Sequence, residues 1–188
     1  MQRQMGERST RWWHVVAMML VFVPLVTTMP AAAGDFEDGV EAYRNGDYAV
    51  AHRLWLPLAD QGLADAQNNL AVMYANGRGV TQDYAAAMRW YRLAADQGDA
   101  AAQFNLGAMY ATGEGVPQDY VQAHTWFNLA ASRFSPTAKE NRENAVKNRD
   151  ITASRMTPAQ IAEAQKQARE WRPAKSYAEA LERIARDP

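Results

Sequence analysis

The sequence predicts an all-α protein built as a stacked array of antiparallel helix pairs. Residues 66–98 and 102–134 are two copies of one unit, offset by 36 positions, and 18 of the 33 aligned residues are identical. Within each copy, apolar residues recur at helical spacing in two segments that are separated by a loop with two glycines. A period of this length is typical of arrays in which each unit buries its apolar face against its neighbours.

The first 33 residues have the pattern of a secretory signal peptide. Arg3, Arg8 and Arg11 precede an apolar run of 12 residues from Val15 to Val26, and small residues up to Ala33 offer a cleavage site. The alternative is an uncleaved membrane anchor, because 23 consecutive residues carry no formal charge. The apolar run is shorter than the roughly 20 residues that a span needs. We therefore expect a periplasmic or secreted protein without stable membrane insertion after cleavage.

The composition after this segment excludes several classes of function. The remaining chain has 17 basic and 20 acidic residues, which gives no support to nucleic-acid binding. The sequence contains no cysteine, so disulfides, thiolate zinc sites and lipid-modified cysteines are excluded. Packing must therefore stabilise the fold.

Each full unit is expected to contain a first helix, a loop and a second helix. Gly77 and Gly113 stand where the first helices end, and left-handed backbone is expected there. Asp83 and Asp119 stand where the second helices begin, and their carboxylates can accept the free amide hydrogens. Gly98 is expected to end the second helix of the first copy, whereas regular repetition stops at its counterpart in the second copy.

The array is expected to have three units. A degenerate unit at residues 36–63 precedes the full units at 64–99 and 100–134. In the degenerate unit, Asp47-Tyr48-x-x-Ala51 lies 36 positions before Asp83-Tyr84-x-x-Ala87. Its turn is four residues shorter than the loops of the full units, so we expect a simpler unit at this end.

Residues 135–188 are expected to form a helical cap over the end of the array. A charged segment comes first, and Thr157-Pro158-Ala159-Gln160 then has the arrangement of a capping box at a helix start. We expect Ile161 and Trp171 of that helix to pack on the unit that ends near Ala131. Such a cap covers the end that every stacked array otherwise exposes.

The loops carry a family resemblance. The segment Leu70-Ala71-x-Met73-Tyr74-x-x-Gly77-x-Gly79-Val80 and its copy from Leu106 to Val116 resemble the signature of Sel-1-like repeats, the long-looped relatives of tetratricopeptide repeats. The resemblance covers about residues 36–134. It implies a right-handed α-solenoid, a concave face lined by the first helix of each pair, and binding to proteins or peptides. Bacterial exported members include adaptors and host-factor binders. Some secreted members have cysteines that link each helix pair, and this chain has none.

No group of residues predicts catalysis. His52 and His124 have no recurring ligand residues at helical spacing, so no metal site is expected. The loop glycines follow no strand and precede no Lys-Ser or Lys-Thr pair, so they are turn residues rather than a phosphate loop. Asp83 and Asp119 occupy equivalent positions in successive units, and helix capping explains both. We therefore expect no enzyme and no cofactor.

Partner binding is expected where the copies differ, because repeat-invariant aromatics such as Trp90 and Trp126 belong to the core. Phe104 lies outside the packing positions of the repeat and either fills a gap or anchors a partner. The candidate residues lie on the first helices of the three units and are expected to form one groove with an apolar centre: Val40, Tyr43, Arg44, Asp65, Asn68, Val72, Asn76, Phe104, Ala108 and Thr112.

The leading functional prediction is an exported, non-catalytic protein- or peptide-binding module of the adaptor type. A second possibility is a structural adaptor that is tethered to the membrane by an uncleaved signal. An envelope hydrolase is the third, and only the predicted compartment favours it.

Overall fold

The computed structural model describes residues 33–186, and this part of the chain forms nine α-helices. Their bounds are α1 Ala33–Asn45, α2 Tyr48–Asp60, α3 Ala64–Asn76, α4 Tyr84–Gln97, α5 Ala100–Thr112, α6 Tyr120–Arg133, α7 Lys139–Ala153, α8 Pro158–Glu170 and α9 Tyr177–Arg186. The predicted signal peptide lies almost entirely outside the described residues.

From α1 to α7, each helix packs on the next one along the chain. The first helices of the three units are α1, α3 and α5, and the second helices are α2, α4 and α6. The prediction of an all-α array of stacked helix pairs is confirmed. The turn between α1 and α2 spans two residues, whereas the loop between α3 and α4 spans seven, as the shorter spacing in the first unit predicted.

The two long loops are held by corresponding hydrogen bonds at both of their ends. Gly77 and Gly113 adopt φ of 65° and 79°, and each donates its backbone N–H to the carbonyl oxygen of the methionine four residues earlier. The Asp83 carboxylate accepts a hydrogen bond from the amide of Ala86, and the Asp119 carboxylate accepts from two amides of the next turn. The predicted helix ends at Gly77 and Gly113 and the predicted helix starts at Asp83 and Asp119 are therefore confirmed.

The second glycine of each loop contacts the preceding unit. A Cβ built on Gly79 would lie 2.7 Å from Cβ of Tyr48, and one built on Gly115 would lie 2.6 Å from Cβ of Tyr84. Such distances are too short for any side chain, so the loop reaches the start of the preceding second helix only because both residues are glycine. Successive units are thereby held in one register.

A buried glutamine also joins successive units. The Gln67 side-chain amide donates to the Ala59 carbonyl oxygen at 2.9 Å, and Gln103 donates to the Ala95 carbonyl oxygen at 3.0 Å. Both glutamines are completely buried. Each of these carbonyl groups, near the end of a second helix, also accepts a backbone hydrogen bond from the glycine that follows, Gly62 or Gly98, so the glutamine adds a second bond that comes from the next unit.

The core runs through the whole array in two adjoining clusters. One cluster centres on Trp55, Leu58 and Leu70 between α1 and α3, and the other centres on Tyr91 and Trp126 from α3 onwards. Trp90 packs against both clusters. The prediction that the invariant tryptophans belong to the core is confirmed, since Trp126 is 3% exposed.

The C-terminal segment extends back along the second helices. Helix α7 packs on α6, α8 also packs on α6, and α9 reaches α4. The Trp171 ring lies edge-on to Trp126 at 6.4 Å between centroids, and the Arg133 guanidinium lies 4.2 Å from the Trp171 ring centre. The predicted packing near the end of the last full unit is therefore confirmed for Trp171, and for Ile161 it stays a prediction. The predicted capping box at Thr157 is also present.

Buried Asp96, on α4, binds both α9 and the chain that leads to it. Its carboxylate pairs with Arg92 at 3.0 Å and with Arg183 of α9 at 3.9 Å. The backbone carbonyl oxygen of Asp96 accepts a hydrogen bond from the backbone amide of Ala174 at 2.7 Å. Burial raises the pKa of Asp96, although both arginines act in the opposite direction.

Candidate partner-binding face

The candidate residues of the first unit meet α3 around one hollow of about 330 Å³. Trp55 forms its floor and is 2% exposed. The Tyr43 ring lies 5.6 Å from the Trp55 ring, and the Trp55 indole N–H donates to the Phe36 carbonyl oxygen at 3.2 Å. The hollow is lined by Val40, Tyr43, Arg44, Trp55, Asn69 and Val72.

The loop after α3 fixes Tyr43 at the edge of this hollow. The Arg78 guanidinium donates to the Tyr43 hydroxyl, and its central carbon lies 5.5 Å from the Tyr43 ring centre and 5.8 Å from that of Tyr48. Arg44 and Arg78 are both exposed, and Arg44 lines the rim itself. The hollow thus has an aromatic floor and exposed positive charges at its edge.

Phe104 lines a second hollow, of about 200 Å³, between α5 and α7. Its ring packs on buried Phe127 with 5.5 Å between centroids, and Phe104 as a whole is half-buried. Phe104 therefore fills space beside Phe127 and also contributes to the surface. The hollow is lined by Ala101, Phe104, Asn105, Phe134, Asn141 and Asn144.

Ala108 and Thr112 line a third hollow, of about 320 Å³, between α5, α6 and α7. Arg155 donates to the Tyr120 hydroxyl at 3.1 Å at its edge, and its guanidinium lies 5.7 Å from the Tyr120 ring centre. This arginine-tyrosine contact resembles the contact between Arg78 and Tyr43 at the opposite end of the array. Phe127, which packs on Phe104 of the second hollow, lines this third hollow as well.

The remaining candidates lie along α3. Asp65 is exposed in the first turn, and Asn76 is exposed in the last turn, where its side-chain amide donates to the Val72 carbonyl oxygen at 2.7 Å. The Asn68 side-chain oxygen accepts a hydrogen bond from the side-chain amide of Asn105 at 3.2 Å. Asn68 thus links α3 to α5 between the first and second hollows.

Sequence reasoning missed three asparagines that line the hollows. Asn69, Asn105 and Asn141 are spaced by 36 residues and lie on α3, α5 and α7. Asn69 and Asn105 are identical in the two copies, and such invariant positions are expected to serve packing. A polar amide at an invariant, half-buried position could have marked Asn69 and Asn105, because its hydrogen-bonding groups need partners, whereas Asn141 is exposed and lies outside both copies. Helix α7 continues the packing order of the array by packing on α6, although the sequence repeat itself stops near Phe134, as expected.

His52 is half-buried and His124 is buried among other side chains of the fold. His52 lies 3.3 Å from the Tyr74 hydroxyl, and burial lowers its pKa. His124 is buried, and burial together with the nearby charge of Arg149 lowers its pKa. Within residues 33–186, no three His, Cys, Asp or Glu side chains are grouped so that they could hold a metal ion.

None of the helices between residues 33 and 186 combines the length and the apolar character that crossing a bilayer requires. The described part of the chain therefore contributes no spanning helix.

Comparison with known proteins identifies the two full units as copies of a known repeat. Residues 64–99 and 100–133 each match the Sel1 repeat. A protective antigen present in uropathogenic Escherichia coli strains, whose crystal structure displays an SLR fold, is similar with a TM-score of 0.67 and 30% identity. The match covers 82% of this chain, which spans 32% of the length of that antigen.

A Sel1 repeat protein from Oxalobacter formigenes is 37% identical over 58% of this chain and 86% of its own length, with a TM-score of 0.49. No curated protein matches the sequence.

Proposed function

Because this chain belongs to the Sel1-like repeat family, we propose that it is a non-catalytic binding module that holds a protein or peptide segment on one face. Sel1 repeats form scaffolds for protein interaction. The proposed binding face is formed by α1, α3, α5 and α7, and we call it the first-helix face. An extended segment along this face would contact each unit in turn.

The observation that supports this proposal most directly is the series of hollows along the first-helix face. Each has at least one aromatic side chain in its wall, and polar or charged side chains line the same openings. Aromatic anchors surrounded by polar groups are typical of binding hot spots. The asparagine amides lie beside these hollows and can both donate to and accept from a peptide backbone.

We also propose that the protein is exported. The positively charged start, the short apolar run and the small residues before Gly34 support this location. N-terminal sequencing of the protein recovered from the cell envelope and medium tests it. A new N-terminus at Gly34 is expected. An intact Met1 on membrane-bound protein would instead favour the tethered adaptor.

Binding can be tested before the natural partner is identified. A displayed library of random peptides is selected on the full chain, and the enriched peptides are then measured against Arg44→Glu and Arg53→Glu. Both arginines are exposed, and they lie on neighbouring helices, but only Arg44 lines a hollow of the first-helix face. We expect Arg44→Glu to weaken binding by about tenfold or more, because it reverses a charge at the rim of an anchor site.

Arg53→Glu is the matched control, since it makes the same change in net charge. It should leave peptide affinity within about twofold of that of the unmodified chain, because Arg53 lies on a second helix. Equal losses in both variants would indicate a non-specific charge effect. Failure to enrich any peptide would count against the proposed function itself.

A further inference from the structure

His124 is a buried histidine on the side of α6 that meets α7. It is 3% exposed, and its Nδ1 atom has no hydrogen-bond partner among the described residues. Asn128, one turn further along α6, accepts a hydrogen bond on its side-chain oxygen from Arg149 of α7 at 3.3 Å. A buried polar atom without a partner is uncommon, because its burial costs free energy.

The first unit has a histidine at the same position but gives it a partner. His52 stands 72 positions before His124, and Met88 stands midway between them. The His52 ring lies 3.3 Å from the Tyr74 hydroxyl, which can donate to a neutral ring or accept from a protonated one. The residue 72 positions after Tyr74 is Val146, which has no polar side-chain atom. The last helix pair of the array therefore keeps the histidine without the hydroxyl.

The charges that act on His124 belong to α7. Burial lowers the pKa of His124, the positive charge of Arg149 lowers it further, and Asp150 acts in the opposite direction. Arg149 and Asp150 also pair with each other at 2.8 Å. A proton on His124 would place a second positive charge beside Arg149 and would turn Nδ1 into a buried donor without an acceptor.

The other helices around α6 carry few charges near this contact. Helix α5 has no charged side chain, and Tyr110 is its titratable residue. Arg92 of α4 lies 5.4 Å from the Trp126 ring centre. Helix α8 meets α6 at Thr125, whose hydroxyl donates to the Ala164 carbonyl oxygen at 3.3 Å. The charged residues of α8 are Glu163, Lys166, Arg169 and Glu170.

Helix α7 is the element best able to move away from His124. Within residues 33–186 it packs extensively on α6 alone, and Ala145 and Thr152 are its buried residues. Helices that bury few apolar groups open at a low cost in free energy, without unfolding of the whole chain. Opening of α7 would let water reach His124 and would separate it from Arg149.

We propose that protonation of His124 opens the contact between α7 and α6, so that α7 is an acid-sensitive element of the array. Above about pH 6.5, the ordinary pKa of histidine, the ring is neutral in the open and the closed state, and the contact has its full strength. Below that pH the open state takes up the proton more readily, because the pKa of His124 is lowered in the closed state. The opening equilibrium therefore shifts toward the open state as the pH falls.

The consequence for binding concerns two of the three hollows. Helix α7 lines the hollow beside Phe104 and the hollow beside Ala108, so its opening removes a wall from each. The hollow around Trp55 is lined by α1, α2 and α3 and stays intact. This consequence rests on the proposed function, whereas the opening of α7 does not.

Hydrogen exchange of the α7 backbone amides tests the proposal on the full chain without any peptide. Protection factors are used, because they correct for the intrinsic pH dependence of exchange. In the unmodified chain we expect the protection factors of α7 to lie below those of α5 at pH 7.5 and to fall by about threefold or more at pH 5.5. His124→Met should abolish this fall, and Met88 shows that the equivalent position accepts methionine. His52→Met is the matched control and should leave the fall unchanged.

Several results would overturn the proposal. Equal protection of α7 and α5 in the unmodified chain would mean that α7 opens only when the whole fold unfolds. A fall that persists in His124→Met, or one that His52→Met removes, would assign the acid response to another group. A nuclear magnetic resonance titration of the His124 ring in the unmodified chain needs no variant. Protonation of the ring below pH 6.5 is expected, and protonation at or above pH 6.5 would contradict the proposal.

Discussion

At the residue scale, Gly79 and Gly115 meet two independent constraints. Their φ values of 72° and 76° lie in the left-handed region, and each would place a Cβ within 2.7 Å of a tyrosine in the preceding unit. Gly77 meets the first constraint with φ of 65°, but its Cβ would approach only Gln82, at 3.3 Å. The two glycines of one loop therefore tolerate substitution differently.

We expect Gly77→Ala to lower the free energy of unfolding by about 1 kcal/mol, the usual cost of a left-handed alanine. Gly79→Ala should cost roughly 2–4 kcal/mol, because the added methyl group also separates the loop from Tyr48. Urea unfolding of the two single variants measures the difference. Equal unfolding midpoints would show that the close approach of Gly79 to Tyr48 does not contribute to stability.

The sequence was informative about residues whose role is local. Asp83, Asp119 and Gly77 stand within a few positions of the groups they satisfy, so spacing alone identified them. The contact between Gly79 and Tyr48 joins different units, and nothing in the local pattern distinguishes it from a second turn glycine. Residues that act between units could be identified only once the stacking was known.

At the element scale, α7 differs most from its counterparts. It is rich in charged residues and buries little beyond Ala145 and Thr152. The sequence indicated a charged helical segment before Thr157, but it did not show that this segment would continue the series of first helices. Its place follows from packing on α6, which depends on small side chains rather than on a strong apolar stripe.

The return of the C-terminal segment to α4 was also not predictable from the sequence. Arg183 and Asp96 are 87 positions apart, and Asp96 occupies a position that is serine in the second copy. A charge at such a position usually faces solvent. In the structure it is 1% exposed, because α9 and the chain around Ala174 cover it. The ionised form is costly there, as the raised pKa of Asp96 indicates.

At the scale of the whole molecule, the repeat made the fold predictable, because units of one sequence stack by one set of contacts. The binding face was predicted less completely. The sequence indicated one groove, whereas side chains of Asn68 and Asn105 cross between α3 and α5, and the described surface there contains separate hollows. These bridges depend on side-chain direction across units, which the period alone does not give.

The most direct test of the account is to locate a selected peptide on the full chain by chemical-shift changes in the nuclear magnetic resonance spectrum. The side-chain amides of Asn69, Asn105 and Asn141 report on the first-helix face, one for each of α3, α5 and α7. We predict that at least two of these signals shift as peptide is added, while the amides of α4 and α9 remain in place. Shifts confined to α4 and α9, with unchanged asparagine signals, would contradict the assignment of binding to the first-helix face.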